Sequence, residues 1–273
     1  MRRLSPMFLG VSSLLLFTPL IWGASLPSRD LYSPSSSTIR RGSDLHGPIC
    51  AKEGPSVNDI RWKEGDWSAS WLYSVAGALV NARPDDLRKS WEDEDLGNVP
   101  ANQDATEASI ALFNKDGERI KTKTLLSDIG KTYKAANIKH DTSATSNWWL
   151  AASEMAAVKM GGFEGLEGDK ITSAGSPLDA FKMLTNKSAK IDDIHPEQVE
   201  LVWDLLTDSK VTPIVIKLSQ GAWWTVISAM PNGGEKPWQN STVEIYDPSA
   251  GKTESIYLPA YLHDIKQVAH WTI

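Results

Sequence analysis

The amino-acid sequence predicts an α+β fold with a helical N-terminal lobe and an antiparallel β-rich C-terminal lobe. In the first part of the folded chain, apolar residues recur every three to four positions, which is typical of buried helix faces. From residue 211 onwards, short runs of β-branched and aromatic residues alternate with turn residues, which is typical of strands. A chain of 273 residues with 41% hydrophobic content is long enough to bury such a core.

The helical patterns have recognisable starts and ends. The first predicted helix covers 70–81 and has Ser68 as a candidate cap. The other predicted helices are 147–160, ended by Gly161 and Gly162, a short one with Ser176 as cap and Pro177 as first residue, and 196–207. The predicted strands are 211–218, 223–229, 242–246, 253–258 and 268–273, and 120–129 is predicted to form a strand and a helix start.

The N-terminus has the layout of a secretory signal peptide. Arg2 and Arg3 precede an interrupted apolar run over 8–22, and small residues follow at 23–25. The run is too short and too interrupted for a good membrane span, although a membrane anchor is the alternative. We therefore expect residues 1–24 to be a signal peptide, 25–54 a flexible Ser/Pro/Arg-rich leader, and 55–273 the folded domain. The mature protein is expected to be extracellular and not membrane-bound.

Two further sequence features, the Asn-x-Ser/Thr tripeptides and the single cysteine, are relevant if the chain is secreted. Asn186 and Asn240 each begin an Asn-x-Ser/Thr tripeptide and are candidate glycosylation sites. Cys50 is the only cysteine, so no internal disulfide can form. Its position in the predicted leader favours a free thiol in a flexible tail, with an intermolecular disulfide as the alternative.

The charge balance argues against two classes of partner. The chain has 28 basic and 34 acidic residues, which does not favour binding to nucleic acid or to a membrane surface. The acidic stretch 91–98 is predicted to be a solvated face, because it lacks the ligand spacing of an EF-hand calcium loop. The five histidines lack metal-ligand spacing, so we expect no cofactor and no metal site.

Six sequence blocks follow one another within residues 60–273. They are SASWLYSVAGAL, WLAASEMAAVKMGGFEGLEG, LDAFKMLTN, GAWWTVISA, TVEIYDPSAG and IYLPAYLHDIKQVAHWTI. In this order they resemble the papain-like fold, and more closely the cysteine-protease core of the calpains. The resemblance implies a papain-like two-lobed fold with a cleft between the lobes. It also implies that calcium binding is possible, although no ligands can be assigned to particular residues.

The resemblance points to four catalytic positions, and all four carry a different residue in this chain. Ser70 stands where the family has its nucleophilic cysteine, and Glu64 stands where a glutamine donates into the oxyanion hole. Ala222 replaces the histidine, and Asp247 replaces the asparagine that orients it. A serine hydroxyl needs a base to remove its proton, and Ala222 has no titratable group. An ionised Glu64 would repel the oxyanion that forms during acyl transfer.

The substitutions predict a pseudoprotease without catalytic residues. We expect a monomeric protein that binds a protein or peptide partner in its cleft, with an effector-like role as one possibility. Trp71, Trp223 and Trp224 are predicted to line this cleft. Because successive strand residues point to opposite faces, one of Trp223 and Trp224 is expected to be buried and the other to face the cleft or solvent.

Two alternatives stay open from the sequence. The first is an active peptidase that uses Ser70 as a rewired nucleophile, with Asp247, Glu64 or His140 as its base. The second is a purely structural secreted domain. A large exposed apolar patch around the tryptophans would argue against the second alternative.

Overall fold

The computed structural model describes residues 46–60, 67–129 and 147–272 and confirms a mixed α+β fold with antiparallel strands. The helices are α1 (Ser70–Ala82), α2 (Pro84–Glu92), α3 (Trp149–Met160), α4 (Pro177–Thr185), α5 (Val199–Thr207) and α6 (Leu258–Tyr261). The strands are β1 (Gly47–Pro48), β2 (Asp104–Ala105), β3 (Glu107–Phe113), β4 (Arg119–Leu125), β5 (Leu166–Glu167), β6 (Lys170–Ile171), β7 (Ala189–Asp193), β8 (Ile214–Leu218), β9 (Trp223–Met230), β10 (Thr242–Asp247), β11 (Lys252–Tyr257) and β12 (Ile265–Trp271).

A six-stranded antiparallel sheet organises these elements. Its strand order is β11-β10-β9-β8-β12-β7. Strands β3 and β4 form a separate hairpin, while β1 pairs with β2 and β5 pairs with β6. The five strand segments predicted after residue 211 correspond to β8 to β12 with small shifts at their ends. Strands β3 and β7 are absent from the prediction, so the first part of the chain contains more β-structure than its apolar periodicity indicated.

The sheet is covered on both faces, and each face contributes to its own hydrophobic cluster. One cluster contains Val215, Trp223 and Tyr246 from the sheet together with residues of α1, α3 and α4. The other contains Trp224 and residues of α5. Since side chains alternate along a strand, Trp223 and Trp224 belong to opposite faces. This two-sided burial explains why the strands in this part of the chain are so apolar.

Helix α1 lies directly against β9. The ideal Cβ of an alanine at Gly77 would lie 2.4 Å from Thr225 Oγ1, so only a glycine allows this approach. The Thr225 hydroxyl donates to the carbonyl of Ser74 at 2.7 Å. At the end of the helix, the Asn81 amide donates to the carbonyls of Ser209 and Ile227, both at 2.9 Å. These bonds join the helix to the sheet along its whole length.

Capping was predicted correctly for α4 and wrongly for α1. The Ser176 hydroxyl accepts a hydrogen bond from the Leu178 amide, and Pro177 is the first residue of α4, as expected. Helix α3 ends at Gly161, also as expected. The cap position of α1, however, is Ala69 and not Ser68, and no side chain makes the capping bond.

The predicted domain boundary at residue 55 lies too late in the chain. Strand β1 pairs with β2, and the amide of Cys50 donates to the carbonyl of Ala101 at 2.9 Å. Ile49 and Cys50 are fully buried in the same cluster as α1. Cys50 therefore belongs to the core and not to a flexible tail.

Some predictions fall outside the described residues. These are the signal peptide 1–24 and most of the leader. Among the residues that are described, no helix has the length and apolar character needed to cross a membrane.

Replacing Gly77 by alanine is expected to destabilise the protein. Alanine is a better helix former than glycine by about 1 kcal/mol. An added Cβ against Thr225 overpacks the interface, which typically costs about 1–3 kcal/mol. We expect a net loss of up to about 2 kcal/mol in the free energy of unfolding, measured by urea denaturation.

The control for this prediction is a double-mutant cycle. Removing the hydroxyl with Thr225→Ala should relieve the clash, so that Gly77→Ala costs less in the Thr225→Ala protein than in the parent. If the effects of the two substitutions on the free energy of unfolding were strictly additive, the alanine methyl at position 77 would not contact the Thr225 side chain, contrary to the structure.

Candidate functional site

The first residue of the site is Ser70, which opens α1 and is only 5% exposed. Its backbone N–H donates to the carbonyl of Trp67 at 3.1 Å. This amide is therefore already engaged by a carbonyl of the protein.

The hydroxyl of Ser70 contacts the strand that carries the predicted histidine position. Ser70 Oγ accepts a hydrogen bond from the backbone N–H of Trp223 at 3.2 Å. Ala222 directly precedes Trp223 and is 1% exposed. The structure thus brings two of the predicted positions together. Within the described ranges, no histidine or carboxylate forms a hydrogen bond with the Ser70 hydroxyl.

Asp247 lies at the end of β10 and is 7% exposed. Because Tyr246 pairs with Thr225, Asp247 lies at the same end of the sheet as Ala222. Its Oδ1 accepts two hydrogen bonds from Ser249, one from the amide and one from the hydroxyl, both at 2.7 Å. This is an Asx turn, which shapes the connection to β11. The carboxylate oxygen is therefore committed to its own turn.

Trp67 connects the start of α1 to this turn. Its indole Nε1 donates to Ser249 Oγ at 3.1 Å, and the residue is 40% exposed. Neither Trp67 nor Ser249 was predicted as a site residue from the sequence. The Asp-Pro-Ser motif is a turn signal and could have identified Ser249, whereas nothing in the local pattern distinguishes Trp67 from the other tryptophans.

The predicted cleft tryptophans are all buried. Trp71, Trp223 and Trp224 are 1%, 5% and 8% exposed. The expectation that one of Trp223 and Trp224 faces the cleft or solvent is wrong, because the sheet is covered on both faces. Lys217 Nζ lies 5.6 Å from the centre of the Trp223 ring and adds a cation–π contact.

Trp71 is covered by the segment after β6. Its indole N–H donates to the carbonyl of Thr172 at 2.9 Å. An ideal Cβ on Gly175 would lie 2.1 Å from the indole ring, so only glycine can pass this close. The Trp71 ring therefore contributes to the core and presents no open surface to a ligand.

Two predicted residues cannot be placed. Glu64, at the oxyanion position, and His140, the alternative base, lie outside the described residues. Of the described histidines, His270 is the most enclosed, and its Nε2 lies 2.9 Å from Asp192 Oδ2 at the other edge of the sheet. It belongs to a different part of the molecule from Ser70.

The acidic stretch after α2 is neutralised by neighbouring cations. Asp93 pairs with Arg119, and Asp95 interacts with both Arg119 and Lys121. The hydrogen bond and charge of Lys121 lower the pKa of Asp95, although partial burial opposes this shift. Among the residues described, no group of three or more His, Cys, Asp or Glu side chains could hold a metal ion.

Cys50 has no nucleophilic character. Burial, together with the nearby carboxylates of Asp59 and Glu92, raises the pKa of its thiol to about 12. A thiol is reactive as the thiolate, so this side chain is inert at neutral pH. Its full burial also excludes the intermolecular disulfide considered from the sequence, as long as the protein is folded.

Comparisons with known proteins do not show a family for this chain. The chain matches no protein-family model and no curated protein. The site must therefore be interpreted from its own residues.

Cys50 is expected to resist thiol reagents in the folded protein. At pH 8 a thiol with a pKa near 12 should react with an aromatic disulfide on the order of a thousandfold more slowly than the unfolded chain, where the pKa is about 8.5. The measurement is the release of the coloured thiol from folded and denatured protein. An exposed Lys52→Cys in a Cys50→Ala background should react at once. Rapid modification of Cys50 in the folded parent would contradict its burial.

Proposed function

We propose that this protein is a secreted calpain-like pseudoprotease with a papain-like two-lobed fold. It acts by binding a protein or peptide partner and does not hydrolyse it. The observation that carries the proposal is the environment of Ser70. Its hydroxyl is held by a backbone amide, next to a buried alanine at the position of the family's histidine.

This environment supports inactivity on chemical grounds. A serine attacks a carbonyl only when a base takes its proton as the new bond forms. The Trp223 amide is a donor, so it can hold the Ser70 oxygen but cannot accept the proton. The Ser70 amide, in turn, already donates to Trp67 and offers no free hydrogen bond to an oxyanion.

The alternative, an active peptidase with Ser70 as nucleophile, is less well supported. Of the three candidate bases for Ser70, Asp247 is the one that lies within the described residues. Its Oδ1 accepts two hydrogen bonds from Ser249, so this oxygen is already engaged in its own turn. Ser249 also accepts the hydrogen bond from Trp67 and so separates Asp247 from the helix start.

The partner is proposed to contact Trp67. This is the exposed tryptophan next to Ser70, and its indole is fixed by Ser249. A large aromatic side chain that is partly exposed and held in one orientation is the kind of residue that dominates binding at protein interfaces.

Ser70 is expected not to react with a serine-directed probe. A fluorophosphonate requires an activated hydroxyl, and the Ser70 oxygen has no base among the described residues. We expect no labelling by intact-mass spectrometry and no cleavage of a diverse peptide library, with or without calcium. Labelling or cleavage that disappears in Ser70→Ala would establish the active peptidase instead.

Trp67→Ala is expected to weaken peptide binding without unfolding the protein. On an array of immobilised peptides, loss of a central aromatic contact of about 2 kcal/mol corresponds to about 30-fold weaker binding. The matched control is Tyr261→Ala, because Tyr261 is 41% exposed and lies in α6. Equal binding by the two variants would exclude Trp67 from the interface.

A further inference from the structure

Strand β7 forms one edge of the six-stranded sheet and pairs only with β12. Just before β7, the Ser188 carbonyl accepts a hydrogen bond from the Thr272 N–H. Just after β7, the Ile194 N–H donates to the Lys266 carbonyl. Because hydrogen-bonding residues alternate along an antiparallel strand, the even-numbered residues of β7 direct their backbone groups towards β12. The residues that direct theirs away from the sheet are Ala189, Ile191 and Asp193.

These outward backbone groups are free to bind another extended chain. Within the described part of the chain, no residue forms a backbone hydrogen bond with them. The strand is also accessible, since Lys190 and Asp193 are exposed and the other three residues of β7 are partly exposed. A strand edge of this kind is a template for pairing with a further strand.

The two faces of β7 differ in character. On one face, Lys190 Nζ lies 3.2 Å from Asp192 Oδ2, and His270 Nε2 lies 2.9 Å from the same oxygen. On the other face, Ala189 and Ile191 pack against the hydrophobic cluster that contains α1. A strand that pairs with β7 must therefore match two opposite charges on one face and apolar side chains on the other.

We propose that β7 pairs antiparallel with β7 of a second copy of this chain, about a two-fold axis at Ile191. The outward backbone groups then meet, Ile191 with the partner's Ile191 and Ala189 with the partner's Asp193. Residue pairs of this kind exchange two hydrogen bonds each. Between them, Lys190 lies opposite the partner's Asp192, and the symmetry provides the same ion pair a second time. Opposite charges directly across two strands stabilise the pairing.

The charges of β7 favour this register over its neighbours. A shift by one residue would oppose outward backbone groups to inward ones, so the hydrogen bonds could not form. A shift by two residues would move the axis to Lys190 or to Asp192. Each of these residues would then lie opposite its own copy, and like charges in that position are destabilising. The register centred on Ile191 is therefore the self-complementary one.

The other edge of the sheet, β11, does not offer the same match. Its Lys252 and Glu254 repeat the charge spacing of β7 and form an ion pair within the strand. Its odd-numbered residues face outwards, because the residue after β11 bonds to the residue before β10. Opposing Lys252 to Glu254 of a second copy would centre the pairing on Thr253 and would need the Gly251 N–H. That N–H already donates to a carbonyl in its own turn.

The proposed dimer replaces the monomer expected from the sequence. Which strand lies at an edge is known only from the order of strands in the sheet, so the sequence pattern could not indicate it. The dimer is independent of the proposed function, because Trp67 is bonded to the turn before β11, at the opposite edge. An interface of one strand pair is small, so we expect a dissociation constant on the order of 10–100 μM.

The test reverses the two charges one at a time in the full chain. Association is measured by sedimentation equilibrium at concentrations on both sides of the expected dissociation constant. Lys190→Asp and Asp192→Lys each place like charges opposite one another in the dimer. We expect each variant alone to dimerise about tenfold more weakly than the parent, or weaker still.

Mixing the two variants should restore the association. When a chain with Lys190→Asp pairs with a chain with Asp192→Lys, both cross-strand pairs again have opposite charges. The double variant Lys190→Asp/Asp192→Lys should dimerise as the parent does, because the charges are exchanged on both chains. These two measurements require the register centred on Ile191 and do not depend on either single variant being unchanged in stability.

Two controls separate the charge pairing from other effects. Glu254→Lys makes the same reversal at the same spacing on β11, and it should leave the dissociation constant of the parent unchanged. Asp192→Asn keeps an oxygen for His270 but removes the charge, so it should weaken the dimer less than Asp192→Lys does.

Three results would overturn the proposal. The first is a parent chain that remains monomeric up to about 300 μM, well above the expected dissociation constant. The second is a mixture of the two single variants that associates no better than its components, since the register would then be wrong. The third is an equal weakening by Glu254→Lys and Asp192→Lys, which would show that the contact is not specific to β7.

Discussion

The close approach of helix α1 to strand β9 is the constraint on which the rest of the structure depends. Gly77 allows the helix backbone to lie against Thr225. The Asn81 amide joins the far end of the helix to β9 through the Ile227 carbonyl, and to the segment before β8 through the Ser209 carbonyl. At the N-terminal end of the helix, Ser70 Oγ accepts a hydrogen bond from the backbone N–H of Trp223. Three contacts along one helix thus fix both its depth and its rotation. The hydrophobic cluster on that face of the sheet includes most of the residues of this helix.

The same constraint decides what the candidate site can do. The residues at the catalytic positions predicted from the sequence contribute to structure instead. The Ser70 hydroxyl joins helix to strand, Asp247 shapes a turn, and Ala222 is buried where an imidazole would need space and solvent. Trp67 is the side chain that these contacts leave partly exposed. A binding role is consistent with this arrangement, because it needs a rigid surface and no proton acceptor.

Much of the secondary structure could be predicted from the sequence, because helix caps and strand periodicity are local signals. Ser176 and Pro177 located the start of α4 correctly, and the strands from β8 onwards were found within a few residues. Burial was harder to predict, because it depends on what covers each face. Trp223 and Trp224 alternate as expected, yet both are buried, since helices pack on both sides of the sheet. The composition of the segment before residue 55 indicated flexibility, but Cys50 is held by a pairing with residues that are distant in sequence. The candidate site was located by resemblance, and the contacts that decide its chemistry involve backbone groups that no sequence motif records.

The anchoring of residues 46–50 also bears on how the protein can be shortened or fused. Strand β1 completes a small sheet with β2, and Ile49 fills part of the core. A fragment that begins at residue 55 would leave the space of two buried side chains empty, and partly filled cores lose stability in proportion to the void. Any tag, cleavage site or fusion partner at this end of the domain therefore belongs before residue 46, so that the polypeptide enters the core with its first strand intact.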